Sequence, residues 1–121
     1  MQQPTIFHNP QCSKSRETLQ LLRDQGIEPE IFLYLKQPLT VEGLSAILRK
    51  LGGEIDQMVR FNEPLIQELG LDRNPPKSTI AWLETLVRFP KLLQRPIVIW
   101  GDRAVIGRPP ENVLSLISQI P

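Results

Sequence analysis

The sequence predicts a single α/β domain spanning residues 1–121, built on a mixed four-stranded sheet with an inserted helical segment at about 40–93. Two observations carry that expectation. Short β-rich runs occur only toward the two ends of the chain, and the middle shows apolar residues at helical spacing without a strand pattern. A chain of this length can bury a core without disulfides or a structural metal. With 40% hydrophobic and 22% charged residues it has the composition of a folded globular protein.

The first run, Thr5, Ile6 and Phe7, leads into His8 with Asn9 and Pro10 as turn formers, the pattern of a buried strand entering a loop. Helix formers follow from Ser13 to Gln25, with Leu19 and Leu22 on one face, Glu17 in the first turn and Gly26 as the stop. Ile31 to Leu35 read as a second strand, ended by Gln37 and Pro38, and a strand-helix-strand crossover implies a parallel pair. Thr40 caps the next helix, whose Leu44, Ile47, Leu48 and Leu51 keep the i, i+3, i+4, i+7 spacing until Gly52 and Gly53. Shorter helical patterns follow around Met58 and Val59, from Pro64 to Leu69, and from Ile80 to Val87 behind Ser78. With Asn74, Pro75 and Pro76 as its loop and no linker to set it apart, this block reads as an insertion and not as a second domain. Ile97 to Trp100, a Gly101-Asp102 turn and Arg103 to Ile106 make a hairpin. The chain closes with a helix carrying Val113, Leu116, Ile117 and Ile120 on one face.

Fourteen Lys plus Arg against thirteen Asp plus Glu leave a net charge of +1, too balanced for a protein whose main task is gripping nucleic acid. Any anion site is therefore local. Met1, Gln2, Gln3 and Pro4 carry no basic region followed by an apolar stretch, and no run approaches the roughly 18 apolar residues of a membrane helix, so the expected location is cytoplasmic, with no membrane partner. One cysteine and one histidine leave no internal disulfide and too few soft ligands for a zinc site. If Cys12 has a task, it acts as a thiol.

Cys12 lies where the first strand hands over to the first helix, the element order of the thioredoxin-like class. A thiol in that position faces unpaired backbone N–H groups and the positive end of the helix dipole, which lower cysteine pKa values to about 3.5–7.5 from roughly 8.5. His8, Lys14 and Arg16 could add positive field there, while Ser13 and Ser15 offer hydroxyl and N–H groups, which makes His8 and Ser15 candidates for stabilising the thiolate. The contrary reading, a small buried hydrophobe, sits badly with the polar and turn-forming company of Asn9, Pro10, Gln11, Ser13 and Lys14. His8 taken alone reads equally as a hydrogen-bonded structural residue. Among nine arginines, Arg95 and Arg108 stand out because each precedes a proline, which restricts its backbone to extended geometry beside a strand end. Pro96 is a candidate for a cis peptide, although spacing does not show the isomer. Arg60, between an apolar pair and Asn62, has no local feature that separates it from a surface charge.

The segment His8-Asn9-Pro10-Gln11-Cys12-Ser13-Lys14-Ser15-Arg16, followed by Arg60-Phe61-Asn62-Glu63-Pro64, Arg95-Pro96-Ile97-Val98 and Arg108-Pro109, resembles the glutaredoxin-coupled arsenate reductase family nearly end to end. The resemblance implies a thioredoxin-like sheet with a helical insertion, Cys12 as the catalytic nucleophile, and Arg60, Arg95 and Arg108 as the arginines that hold the oxyanion. It further implies reduction of arsenate to arsenite through a Cys12 thiol-arsenate adduct. Ser15 stands where a Cys-x-x-Cys protein keeps its resolving cysteine, so the second thiol must come from outside. In the family that thiol is glutathione, a co-substrate, and glutaredoxin clears the mixed disulfide. No metal or bound organic cofactor is implied. Spx-type regulators share this fold, so a non-catalytic Spx-like regulatory or protein-binding module is the alternative; they commonly use a two-cysteine switch, and this chain has one cysteine.

Overall fold

Thr5–Phe7 (β1), Ser13–Asp24 (α1) and Glu30–Phe32 (β2) form the expected crossover, with β1 and β2 parallel and Phe7 beside Phe32 in register. Those two rings stack with centroids 4.6 Å apart. The computed structural model from which this is read describes residues 3–118. Met1 and Gln2 of the amino-terminal reading and Ile120 of the last helical face lie outside those residues.

α1 buries Ser15, Thr18, Leu19 and Leu22, one i, i+3, i+4, i+7 stripe, and stops at Gly26, whose φ of +75° favours glycine. Glu17 falls just beyond the first turn and pairs with Lys14 at 3.8 Å on the surface. β2 ends at Phe32, three residues earlier than its β-rich sequence suggests. Local bonds capture the chain there: Lys36 and Gln37 N–H both donate to Leu33 O at 2.9 Å, and Gln37 Oε1 accepts from Leu33 N–H at 2.9 Å.

The chain forms two compact units, residues 1–37 with 95–121, and residues 38–94. In the first, Ile97–Trp100 (β3) and Arg103–Ile106 (β4) make the hairpin, with Gly101 at φ +66° in its turn. β3 pairs antiparallel with both β1 and β4, so the sheet order is β2-β1-β3-β4 and the sheet is mixed. Ile6 and Val98 are cross-strand partners on one face, and they share a core with Leu19 and Leu22 of α1 and Val113 and Leu116 of Asn112–Ser118 (α5). Two helices packed on this sheet, with the first helix leaving the end of β1, make a thioredoxin-like fold. The Arg95-Pro96 and Arg108-Pro109 peptides are both cis.

The second unit is helical: Val41–Lys50 (α2), Pro64–Glu68 (α3) and Thr79–Arg88 (α4), with short 3-10 turns at Ile55–Met58 and Pro90–Leu92. Thr40 caps α2 by accepting from Gly43 N–H at 3.0 Å, and Ser78 caps α4 by accepting from Ala81 N–H at 3.1 Å. α2 packs on α4, burying Leu44, Ile47 and Leu48 together with Leu83 and Leu86. The expected absence of strand pairing has one exception, an antiparallel bridge between Val59 and Leu93. Among the described residues no helix is long and apolar enough to cross a membrane.

Leu22→Ala, at a site with no exposure, is expected to lower the unfolding free energy by about 3 kcal/mol. Thr40→Ala is expected to lower it by about 1 kcal/mol. Urea titration followed by circular dichroism checks both, and a smaller loss at Leu22 than at Thr40 would contradict the assigned core.

Candidate active site

Cys12 is the residue that caps the start of α1, with an extended backbone at φ −95° and ψ 123°. Its carbonyl accepts the first helical bond from Arg16 N–H at 3.0 Å, and its own N–H donates to Asn9 O at 2.9 Å. Two further bonds brace the loop. Gln11 N–H donates to Asn9 Oδ1 at 3.0 Å, and Arg16 Nη1 donates to Pro10 O at 2.8 Å. The sulfur occupies the place of a capping oxygen without making a full capping bond.

Partial burial pushes the Cys12 thiol up. The Ser15 N–H, the Arg95 guanidinium through its hydrogen bond and its charge, and the Lys14 N–H outweigh this, so the thiol lies below its ordinary range. The charges of Lys14 and Arg16 have other partners, Glu17 and the Pro10 carbonyl. His8 is buried beneath the loop, with Nδ1 2.6 Å from Ser15 Oγ, which also accepts from Asn9 N–H at 3.1 Å. Burial, then the nearby charges of Arg23 and Arg16, hold the imidazole below its ordinary pKa of 6.5. That shift favours the neutral imidazole. The link of His8 to the loop is the Ser15 hydroxyl.

Arg95 and Arg108 flank the hairpin. The turn pairs Trp100 with Arg103, and each step outward along the ladder ends at Ile97 opposite Ile106. One step further, Gly107 N–H donates to Pro96 O at 2.9 Å, and one more brings Arg95 and Arg108 together. Arg108 Nη1 donates to Arg95 O at 3.2 Å and to Cys12 Sγ at 3.9 Å. Arg95 Nε is buried with no hydrogen-bond partner among the described residues. Asn112 Nδ2 steadies the Arg108 segment through Ile106 O at 3.1 Å and Arg108 O at 3.2 Å. Arg60 belongs to the helical unit, where Nη1 pairs with Glu63 Oε2 at 2.6 Å and its N–H donates to Leu92 O at 2.7 Å.

Asn112, Thr18 and Gly107 escaped the reading of the sequence. Thr18 was legible as the member of the α1 stripe that precedes Leu19, and Gly107 as the residue opposite Pro96 once the two-residue turn sets the register. Asn112 had no signal beyond its position at the start of a helix.

A lone thiol at a helix start, its ionised form favoured by its surroundings and two arginines beside it, can attack an electrophile while those arginines bind anionic oxygens. The chain belongs to the ArsC family, whose match spans residues 7–116. It is 47% identical over 113 residues to an arsenate reductase of Haemophilus influenzae, covering 93% of this chain and 97% of that one. It is 45% identical over 116 residues to the uncharacterized protein YfgD of Escherichia coli, covering 95% and 97%. The solved arsenate reductase of Vibrio cholerae matches with a TM-score of 0.87 and 44% identity, covering 93% of this chain and 96% of that one.

The rate of Cys12 alkylation by iodoacetamide should rise with pH through a midpoint below that of a free thiol, because only the thiolate reacts. In Arg95→Ala the midpoint should move up, since a cation that favours the charged form is gone. Equal midpoints would remove Arg95 from the balance.

Proposed function

We propose that this protein reduces arsenate to arsenite with external thiols. The observation that carries the reading is the Cys12 sulfur held by Arg108 Nη1 at 3.9 Å and by the Arg95 guanidinium, at the start of α1. In the proposed reaction the thiolate attacks pentavalent arsenic, an S–As bond forms, and one arsenate oxygen takes up two protons and leaves as water. Arg95 and Arg108 hold the remaining oxygens, and the unpartnered Nε of Arg95 is a donor that such an oxygen would satisfy. The resemblance gives Arg60 the same task.

Glutathione thiolate then attacks Cys12 Sγ. An S–S bond forms, and the S–As pair stays on arsenic, which becomes trivalent and leaves as arsenite after protonation. With Ser15 in place of a second cysteine, the mixed disulfide has no internal thiol to resolve it. A glutaredoxin thiol exchanges it away. The chemistry draws its electrons wholly from thiols, needs no bound cofactor, and suits the reducing cytoplasm.

An assay with arsenate, glutathione, glutaredoxin and an NADPH-coupled glutathione reductase tests this. Wild-type protein should consume NADPH in proportion to arsenate, and Cys12→Ser should not. Arg108→Ala and Arg60→Ala should each lower kcat/KM by about 10²–10³-fold while remaining folded. Equal NADPH consumption by wild type and Cys12→Ser would overturn the reading and leave the non-catalytic, protein-binding alternative.

A further inference from the structure

Gly107 and Thr18 lie outside the set of side chains that meet the oxyanion, yet they stand between the two segments on which the site is built. Thr18 is on the buried stripe of α1, the helix that begins at Cys12, and has no exposure. Its hydroxyl donates to Lys14 O at 2.8 Å, which holds the rotamer. Gly107 is buried between Ile106 and Arg108, and its N–H is bonded to Pro96 O. Its φ is outside the left-handed region, so no backbone conformation demands glycine. Space does. A Cβ here would collide with Thr18 Oγ1 and lie 2.8 Å from Pro96 Cγ and 3.1 Å from Thr18 Cγ2. Real Cβ atoms essentially never come under 3.0 Å, as the contacts with Thr18 Oγ1 and Pro96 Cγ would, and none of those neighbours is the free end of a long side chain.

We infer that Gly107 and Thr18 are positioning residues: their close contact, across which Thr18 Oγ1 also donates to Gly107 O at 3.5 Å, sets how closely the Arg95 and Arg108 segments approach the thiol at the start of α1. The neighbours explain why so small a contact has this reach. Arg108 follows Gly107 directly, Arg95 precedes the Pro96 that Gly107 touches, and the 3.9 Å contact of Arg108 with Cys12 Sγ has little to lose before it breaks. The inference rests on the proposed roles of Cys12, Arg95 and Arg108.

Gly107→Ala, Thr18→Ala and the double variant test it, each shown folded by circular dichroism. The primary readout is the pH midpoint of Cys12 alkylation, which involves no arsenate; kcat/KM for arsenate is the second. In Gly107→Ala the midpoint should rise toward that of Arg95→Ala, and kcat/KM should fall at least tenfold. Thr18→Ala added to Gly107→Ala vacates the space of the collision and should restore both values in part. Thr18→Ala alone adds no atoms, so it should fold; it removes the bond to Gly107 O, loosens the contact and should raise the midpoint and the arsenate KM by smaller amounts. A wild-type pH profile in folded Gly107→Ala overturns the inference, and so does one in Thr18→Ala if Gly107→Ala does not fold. If wild type fails to reduce arsenate but the midpoints shift as stated, the functional reading fails and the positioning role stands.

Discussion

A cysteine taken partly out of water becomes a weaker acid, and the site depends on reversing that tendency at one sulfur. Most residues at the start of a helix supply an oxygen that bonds the N–H groups two and three positions on. Cys12 replaces that oxygen with a large, polarisable atom, so the N–H groups of Lys14 and Ser15 turn their partial charge on the sulfur. These dipoles are part of the backbone, so no side chain has to be ordered to supply them. The full charge comes from Arg95, in the bend that leads into β3 and far from Cys12 in sequence, which is why the thiol's acidity depends on the tertiary fold as well as on the loop.

The hairpin explains how two arginines thirteen positions apart reach one atom. A two-residue turn at Gly101 and Asp102 sets Trp100 opposite Arg103, and an antiparallel ladder then leaves no freedom in what lies opposite what. Arg95 and Arg108 sit equally far beyond the last pair. Both the turn and the two Arg-Pro pairs were legible in the sequence. Only the step of counting outward from the turn was needed to predict that these arginines converge.

Most of the fold could be read the same way, because α1 stops at Gly26, α2 starts at Thr40 and stops at Gly52, and α4 starts at Ser78, signals whose physics is local. β2 was overextended because Leu33, Tyr34 and Leu35 favour a strand by type, whereas the Gln37 side chain bonds back to Leu33 and turns the chain. His8 could not be assigned from sequence either. Its charge depends on burial and on Arg23 and Arg16, two residues that are distant from it in sequence or engaged elsewhere. Arg60 had no local signal at all; only the family resemblance singled it out, and its part-buried pairing with Glu63, just before α3, depends on a loop geometry that residue types do not announce.

The buried stripe of α1 changes character along its length. Leu19 and Leu22 fill the core against Ile6 and Val98, while Ser15 and Thr18, nearer Cys12, are polar and still buried. Each has its hydroxyl bonded, Ser15 with His8 and Thr18 with Lys14 O, so neither is a desolvation penalty left open. A leucine in either place would bury more apolar area but would not fit: Ser15 lies under the Asn9 turn, and Thr18 already lies against the bare backbone of Gly107. The helix thus gives up hydrophobic burial over its first two turns to bring the thiol and the arginines close. The apolar core of this unit gathers instead around Leu19 and Leu22, farther along α1, where packing is free of that demand.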